Sequence, residues 1–486
     1  VQTLTKTPPL PGDAEERDRR AHAAKGRRIL SGQWEGDLRK AVDDFFPEET
    51  AQMLDGTIDL SKNVLGRTAT EISVQYHRIP LISAEDSNEQ AVESFASRLD
   101  AAGVWQMAQS NQRSTWGIRE GLMRVDYVLP RGRLQVRSVP ADLVFIEADP
   151  QSPDLPIRVT EARVRSIARG GEASDRWTWD VVDISDAENP TYRVMLPPDD
   201  PNSSKAPTDI TEEVLGGEFD GEAFPWRIEG VPVLPYLLYH AHRTGRLWDG
   251  WRNSELMAGT LRVGVYYTHL GFLMRDCAHP IRWAADAVVD GTEDRGTGGG
   301  KRKEVHVNAA SLLMLRSTST GGIQTGQWDA GADPERTQLA IREYERSILM
   351  DAGLETDDTQ RNGSAQSGWA IALKRSSVRE KQQEMEPNFR QQDEVLLALA
   401  ASLLNVHEGA GLPETGWSIT YRGLPLSPVE VETRTKQAMA DIELGIASPV
   451  DLVLAANIGW TRDQGKDRLR EIRQENAEFG NRGAGP

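Results

Sequence analysis

The sequence predicts an α+β chain, mainly helical, in which a sheet-forming block is enclosed by helical ones. Three observations predict it. Apolar residues recur at helical spacing before residue 116 and again after residue 253. Between them, residues 121–238 hold period-two runs rich in β-branched and aromatic side chains. Pro, Gly and Asp punctuate the boundaries between these blocks. At 486 residues and 38% hydrophobic content the chain has room for a sizeable core, on the order of two to four domains.

The N-terminal stretch VQTLTKTPPLPGDAEERDRR is Pro-rich and then charged, with no apolar signal-peptide centre, and is expected to be a loose arm of a soluble, non-secreted protein. From about residue 17 to 116 the pattern is helical, with Leu30, Leu38, Val42 and Phe45 near helical spacing. Ser87 is the expected N-cap of a helix over 87–102, whose apolar stripe is Ala91, Val92, Phe95 and Leu99. Strands are predicted at 133–139 (RLQVRSV), 157–164 (IRVTEARV), 176–182 (RWTWDVV) and 191–196 (TYRVML), forming an antiparallel sheet packed on helices. Residues 199–209 (DDPNSSKAPTD) read as a polar loop.

After the apolar segment VPVLPYLLY at 231–239, a helix of about 27 residues is predicted over 253–279, closed by Pro280. At about 1.5 Å per residue it would run roughly 40 Å. Its Gly259, Gly264 and Gly271 allow a neighbouring backbone to come close. Residues 281–332 lack helical period. They hold strand candidates at 303–307 and 310–315 and a glycine-rich tip, DGTEDRGTGGGKRK. A second helix opens at Asp333-Pro334 and stops at Gly353, with Ile341, Tyr344 and Ile348 on one face and Arg336, Arg342, Glu343 and Arg346 on the others. Two long helices bracketing a compact insert make a stalk with a head. A polar loop over 355–366 (ETDDTQRNGSAQ) follows, then two helices, 367–386 and 388–407, expected to be divided at Pro387. Capping signatures at Ser427–Glu430, Ser448–Asp451 and Thr461–Gln464, with stops at Gly445 and Gly459, predict a three-helix C-terminal module.

Chemistry is sparse. The formal charge of −18 and pI near 5.1 disfavour a free-standing, sequence-specific DNA-binding protein. The cations divide into 45 Arg and 11 Lys, a bias suited to bidentate pairing across packed surfaces. The single cysteine, Cys277, excludes an intrachain disulfide and a Cys-based zinc cluster. The longest apolar run, LLALAASLL at 396–404, is half of what a membrane span needs. A P-loop requires GxxxxGK[ST]; the nearest candidate, GGGK at 298–301, has Arg295 and Arg302 where the first glycine and the hydroxyl belong. No lysine has an acid two residues ahead of it, as many metal-dependent nucleases do. The acid pairs Asp43-Asp44, Glu212-Glu213 and Asp357-Asp358 sit in polar, solvated stretches. His240 and His242 would share a face on a strand but lack a third ligand. The 13 tryptophans, Trp177, Trp179, Trp226, Trp248 and Trp251 among them, are scattered and suit core or interface packing better than base stacking. No catalytic, cofactor-binding or metal-binding residue is assigned, and the chain is expected not to be an enzyme.

Taken in order, these segments resemble the portal proteins of tailed bacteriophages, the head-to-tail connectors. The resemblance is carried by GVPVLPYLLY before the first long helix, by DPERTQLAIREYERSILMDAGL, and by NGSAQSGWAIALKRSSVREKQQEMEPNF. It continues in SPVEVETRTKQAMADIELGIASPVDLVLAANIGW, and upstream in LSKNVLGRTATEISVQY and TWGIREGLMRVDYVLP. Each motif is loose alone; their collinear order from about residue 50 onward carries the weight.

The resemblance implies a portal-type wing, stem, clip and crown assembled as a ring, usually of twelve subunits, at one capsid vertex. Its implied divisions are a flexible arm over 1–26, a wing of helices and antiparallel sheet over 27–252, and a first stem helix over 253–279. A clip over 280–332, a second stem helix over 333–353 and a tunnel loop over 354–366 follow. Kinked wing and crown helices at 367–408 and a helical crown and tail at 409–486 complete it. Gln360, Arg361, Asn362 and Gln366 would be the donors of the DNA-channel loop, Arg336, Arg342 and Arg346 the channel face of the stem, and Lys301, Arg302 and Lys303 the docking site of the clip. The implied partners are further copies of the chain, double-stranded DNA passing non-specifically, the terminase large subunit, a head–tail adaptor, and a major capsid or scaffolding protein. Membrane and cofactor are not expected. The implied location is the virion, after assembly in the host cytoplasm. Two other readings stay open: another non-enzymatic head–tail structural protein, such as an adaptor or minor capsid component, and an enzyme with a divergent nucleotide or metal site.

Overall fold

The structure is a computed structural model that describes residues 10–85, 88–169, 172–198, 206–215, 224–242, 244–248, 253–278, 281–285, 312–315, 324–328, 333–352, 354, 368–422, 428–456 and 461–482. The chain opens with helices α1 (Ala14–Leu30), α2 (Glu35–Phe45), α3 (Glu48–Leu54) and α4 (Val64–Ile72). Asp13 caps α1, its Oδ1 accepting from the Glu16 amide at 2.9 Å, and Asn63 caps α4 in the same way through Gly66. Leu38 and Val42 are buried as their spacing predicts, whereas Phe45 is exposed. Strand β1 (Leu81–Ala84) leads to α5 (Glu89–Ala101) and α6 (Val104–Ile118). The cap of α5 is Asn88, accepting from the Gln90 amide at 3.1 Å, one residue beyond the expected Ser87. Phe95 and Leu99 are the buried part of its stripe.

The sheet block resolves into two larger sheets and a short two-stranded hairpin, not one sheet. Strands β2 (Gly121–Val128) and β3 (Arg133–Val139) pair antiparallel. Strands β4 (Val144–Ala148), β5 (Pro156–Arg169), β6 (Glu172–Asp183), β7 (Thr191–Leu196) and β8 (Thr208–Asp209) form an antiparallel five-stranded sheet in chain order. The four strands predicted here all fall within β3, β5, β6 and β7. The polar loop over 199–209 ends in β8, which pairs Thr208 with Leu196. Beyond α7 (Thr211–Leu215) and the short hairpin β9 (Arg227–Ile228) and β10 (Val231–Pro232) comes β11 (Tyr236–Tyr239). It joins the other edge of β2, with Tyr236 opposite Arg124.

Helix α8 (Ser254–Ala278) follows, then strands β12 (Ile281–Ala285), β13 (Leu312–Leu315) and β14 (Gln324–Trp328), then helix α9 (Pro334–Asp351). β12 is central, parallel to β13 and antiparallel to β14. The strand expected over 303–307 lies outside the described residues, and the one over 310–315 is observed from Leu312. Asp333 caps α9, accepting from the amides of Glu335 and Arg336 at 3.0 and 3.3 Å.

Helix α10 (Gly368–Glu408) corrects the expected division at Pro387: it is one continuous helix with the proline inside it. A proline removes one ladder bond, but Met385 and Phe389 on either side are buried in the core and hold both halves in place. Residues 396–404, hydrophobic on every face, are buried on nearly every face. Each large apolar side chain there contributes about 1.5–3 kcal/mol of transfer free energy. Strand β15 (Trp417–Thr420) returns to pair antiparallel with β1, Leu81 opposite Thr420. Helices α11 (Pro428–Glu443), α12 (Pro449–Ala456) and α13 (Arg462–Arg482) complete the expected module. Two of its capping boxes are formed: Ser448 donates backbone and hydroxyl to Asp451 Oδ2 at 2.8 and 2.6 Å, and the Thr461 amide donates to Gln464 Oε1 at 2.8 Å. The third, at 427–430, includes Ser427, outside the described residues.

Candidate stem and wing surfaces

Helices α8 and α9 form an antiparallel hairpin. Gly259, early in α8, lies against Ile348, late in α9, and a Cβ at 259 would meet Ile348 Cδ1 at 2.9 Å. Further along, Tyr266 and Tyr344 meet edge to face at 5.6 Å between ring centroids, and Tyr267 donates to Glu345 Oε2 at 3.4 Å. Tyr344 is therefore a contact residue at the hairpin seam although it is 38% exposed.

The first helix is less bare than a stalk suggests. Thr260 Oγ1 accepts from the Leu65 amide and Thr268 Oγ1 from the Asp59 amide, both at 3.0 Å. A Cβ at Gly264 would meet Leu38 Cδ1 at 2.8 Å and Trp34 Cη2 at 3.1 Å. Two of the three glycines thus serve close approach of side chains inside one chain. At Gly271 a Cβ would meet nothing within 4 Å. The next residue, Phe272, still packs against the core, and Met274 is exposed. α9 is exposed along most of its length, Leu339 and Met350 included.

The stem arginines are all exposed. At about 100° per residue, Arg342 and Arg346 share a flank of α9, while Arg336 points about 120° from Arg342 and about 80° from Arg346 and pairs with its own cap, Asp333, at 3.4 Å. The three do not form one face. Lys301, Arg302 and Lys303, and Gln360, Arg361, Asn362 and Gln366, lie outside the described residues. The two sides of that loop are nonetheless tied. Leu354 is buried and donates to Leu349 O at 2.8 Å, and Lys381 of α10 donates to Ala352 O at the end of α9. Burial pulls the Lys381 ammonium below its ordinary range. Asn253 performs the matching task at the start of α8. In the left-handed region at φ 53°, it donates to Trp116 O and Gly117 O at 2.8 and 3.2 Å, fastening the stem to the last turn of α6.

Two buried polar hubs organise the wing. In the first, Asp180 of β6, 0% exposed, accepts from Arg124 Nη1 and Arg163 Nη1, each at 3.1 Å, and from both terminal nitrogens of Arg165. Arg124 also binds Asp126 at 2.9 Å and Glu161 at 3.3 Å, and Arg137 clamps Glu161. Burial opposes the charge on Asp180, but the guanidiniums of Arg124, Arg165 and Arg163 outweigh it and hold the carboxyl well below the usual range. The second hub is Asp393 of α10, also 0% exposed. It accepts from Tyr76 and Tyr421 at Oδ2, at 2.6 and 2.5 Å, and from Tyr239 at Oδ1, at 2.7 Å. Here burial dominates, and although the three hydroxyls favour the anion, the carboxyl is pushed up to about 6.

No sequence motif marks either hub, nor Lys381 or the capping role of Asn253. Asp393 had a signal, since it is an acid one turn ahead of the most apolar run in the chain. The histidine pair does not form a ligand set: β11 ends at Tyr239, and His242 Nδ1 faces Glu384 of α10 at 3.2 Å. Among the described residues no group of three His, Cys, Asp or Glu is placed to hold a metal ion, and no helix is long and apolar enough to cross a membrane. Trp226 is buried and donates to Val125 O at 3.1 Å, and Trp248 lies 3.9 Å from the Arg19 guanidinium, so both are packing residues; Trp251 lies outside the described residues.

No family model and no curated protein matches the sequence. Among solved structures, the chain is similar to a chain from the virion of a native gene transfer agent particle, with a TM-score of 0.39 and 11% identity over 85% of this chain and 95% of that one. It is also similar to a chain from the neck of an empty gene transfer agent particle, with a TM-score of 0.42, 11% identity and the same coverage. Both likenesses are distant, so the functional reading rests on the chain's own geometry.

Proposed function

We propose that this chain is a portal-type subunit: a non-enzymatic structural protein whose copies close into a ring, with DNA passing through the central channel during packaging and ejection. The observation that carries it is the α8–α9 hairpin with a small three-stranded sheet between its helices. Its first helix is anchored in the wing as far as Phe272, after which Met274 and Arg275 are exposed. Exposed apolar groups on that hairpin, Met274, Leu339 and Met350, suit burial against a neighbouring copy, and head-to-tail contacts under rotational symmetry close a ring.

In that ring Arg342 and Arg346 would make brief phosphate contacts on the stem, with Arg336 on another flank. Gln360, Arg361, Asn362 and Gln366 would form a compliant collar around DNA. Subunits of charge −18 make an acidic wall that does not grip a polyanion, so DNA slides. Lys301, Arg302 and Lys303 would dock the terminase large subunit first and the head–tail adaptor later, while the wing meets the major capsid or scaffolding protein at one vertex of the virion. Work for DNA movement would come from the terminase, because the chain has no P-loop sequence.

Electron microscopy and mass photometry of the purified protein test this. The expected result is rings with a central hole, usually twelve copies in the resembled family; a monomer under all assembly conditions overturns it. Replacing Lys301, Arg302 and Lys303 with Ala should leave rings intact and abolish terminase docking.

A further inference from the structure

The Asp393 hub is unusual in its charge balance. The chain has a second fully buried carboxylate, Asp180, which is surrounded by guanidiniums. Asp393 is met by three neutral hydroxyls, and the ion pairs among the described residues include none to it. The donors come from three separate places: Tyr76 after α4, Tyr239 at the end of β11 and Tyr421 after β15. The rest of the seat is aromatic, with Phe389 at 5.3 Å from Tyr239 and 6.3 Å from Tyr76, and Trp105 of α6 stacked on Tyr76. The charged groups around the seat are Glu394 beside Asp393, Glu386 towards Tyr421, which pairs with Arg390, the exposed Arg422 after Tyr421, and His242 and Glu384, which pair with each other. A buried anion with no cation is costly. The same carboxyl in neutral form is not, and a tyrosine hydroxyl can turn from donor to acceptor to receive its proton.

We propose that Asp393 with Tyr76, Tyr239 and Tyr421 is a proton-operated clasp that seats α10 on the wing, tight when the carboxyl is neutral and loosened when it is ionised. Oδ1 has one tyrosine donor and Oδ2 has two, so the proton enters at Oδ1 and Tyr239 becomes its acceptor, while Tyr76 and Tyr421 keep donating to Oδ2. The tyrosines themselves stay protonated, because burial and the adjacent carboxylate raise Tyr76 and Tyr239 well above their ordinary value. α10 spans Gly368–Glu408 and leads into β15, so loosening its seat frees the longest helix among the described residues.

Two measurements on the full-length protein test the clasp. Infrared difference spectra of protein carrying carboxyl-labelled aspartate should show one protonated carboxyl titrating near pH 6. It should be absent from D393N and shifted upward in Y421F, which removes one donor from the anion. Hydrogen exchange of α10 amides around Asp393, corrected for intrinsic rates, should show openings about tenfold more frequent at about pH 8 than at about pH 5, because the opened carboxyl returns to an ordinary pKa near 3.9. D393N should show no such ratio. A carboxylate that stays ionised throughout this range, or a pH ratio unchanged in D393N, overturns the proposal. If D393N does not fold, the two measurements on the unmodified protein decide.

Discussion

In the wing, the Asp180 carboxylate is wholly buried and receives hydrogen bonds from three arginines; on the stem, the Arg336 side chain is 88% exposed and reaches only its own helix cap at 3.4 Å. The same residue types do different physical work in the two regions. Around Asp180 each buried charge has a fixed partner of opposite sign, because an unpaired one would cost several kcal/mol. On the stem the α9 arginines Arg336, Arg342 and Arg346 are exposed to water, and Met274, Leu339 and Met350 present apolar surface to it. The buried charges around Asp180 are thus held by many partners at once, whereas the α8–α9 hairpin leaves Met274, Leu339 and Met350 exposed.

The contrast can be broken most forcefully at the hub. Asp180→Ala takes from Arg124, Arg163 and Arg165 the carboxylate they share and should cost about 3–5 kcal/mol by denaturant unfolding. Arg342→Ala on the stem should stay within about 0.5 kcal/mol. Equal losses would erase the distinction between the regions.

The two wing carboxyls sharpen the comparison through pH. The folded-state pKa of Asp180 is depressed, so its stabilisation is present above the unfolded value near 3.9 and is lost as pH falls below it. Asp393 is raised to about 6, so the folded protein binds this proton more tightly than the unfolded chain does. Its contribution is fully present below the unfolded value and is lost as pH rises from about 4 to 6, by about 3 kcal/mol. Stability profiles should show Asp180→Asn losing the acid limb and Asp393→Asn losing the decline above it.

Smaller effects separate the two halves of α8. Gly264→Val must displace Leu38 and Trp34 and should destabilise by about 1–3 kcal/mol. Gly271→Ala meets open space and should stabilise the isolated subunit by up to about 1 kcal/mol. If a neighbouring copy seats against Gly271, the same substitution should impair ring formation, seen by mass photometry. The smallest effect is expected at the start of α9, where Asp333→Ala removes two capping bonds and should cost about 1 kcal/mol in thermal stability.

Much of the secondary structure was legible because it is governed by local rules. The strands at 133–139 and 191–196 match β3 and β7 residue for residue, the Asp333-Pro334 cap opens α9, and the boxes at Ser448 and Thr461 are formed. Errors arose where distant packing outweighs a local signal. Pro387 does not divide α10, because Met385 and Phe389 anchor both flanks, and Gly259 and Gly264 accommodate side chains of the same chain. The pairing of β1 with β15 joins segments more than three hundred residues apart, and no spacing rule reaches that far.

By itself, then, the sequence determined the order of elements, their caps and the absence of recognisable catalytic motifs, since periodicity and turn chemistry act over a few residues. Only the tertiary structure decided which charges share a buried site and where the stem leaves the body. Tyr76, Tyr239 and Tyr421 converge on Asp393 from three distant segments, and burial there determines what a carboxyl does. The free energy of a buried charge depends on all the groups around it, and those neighbours are brought together by the fold.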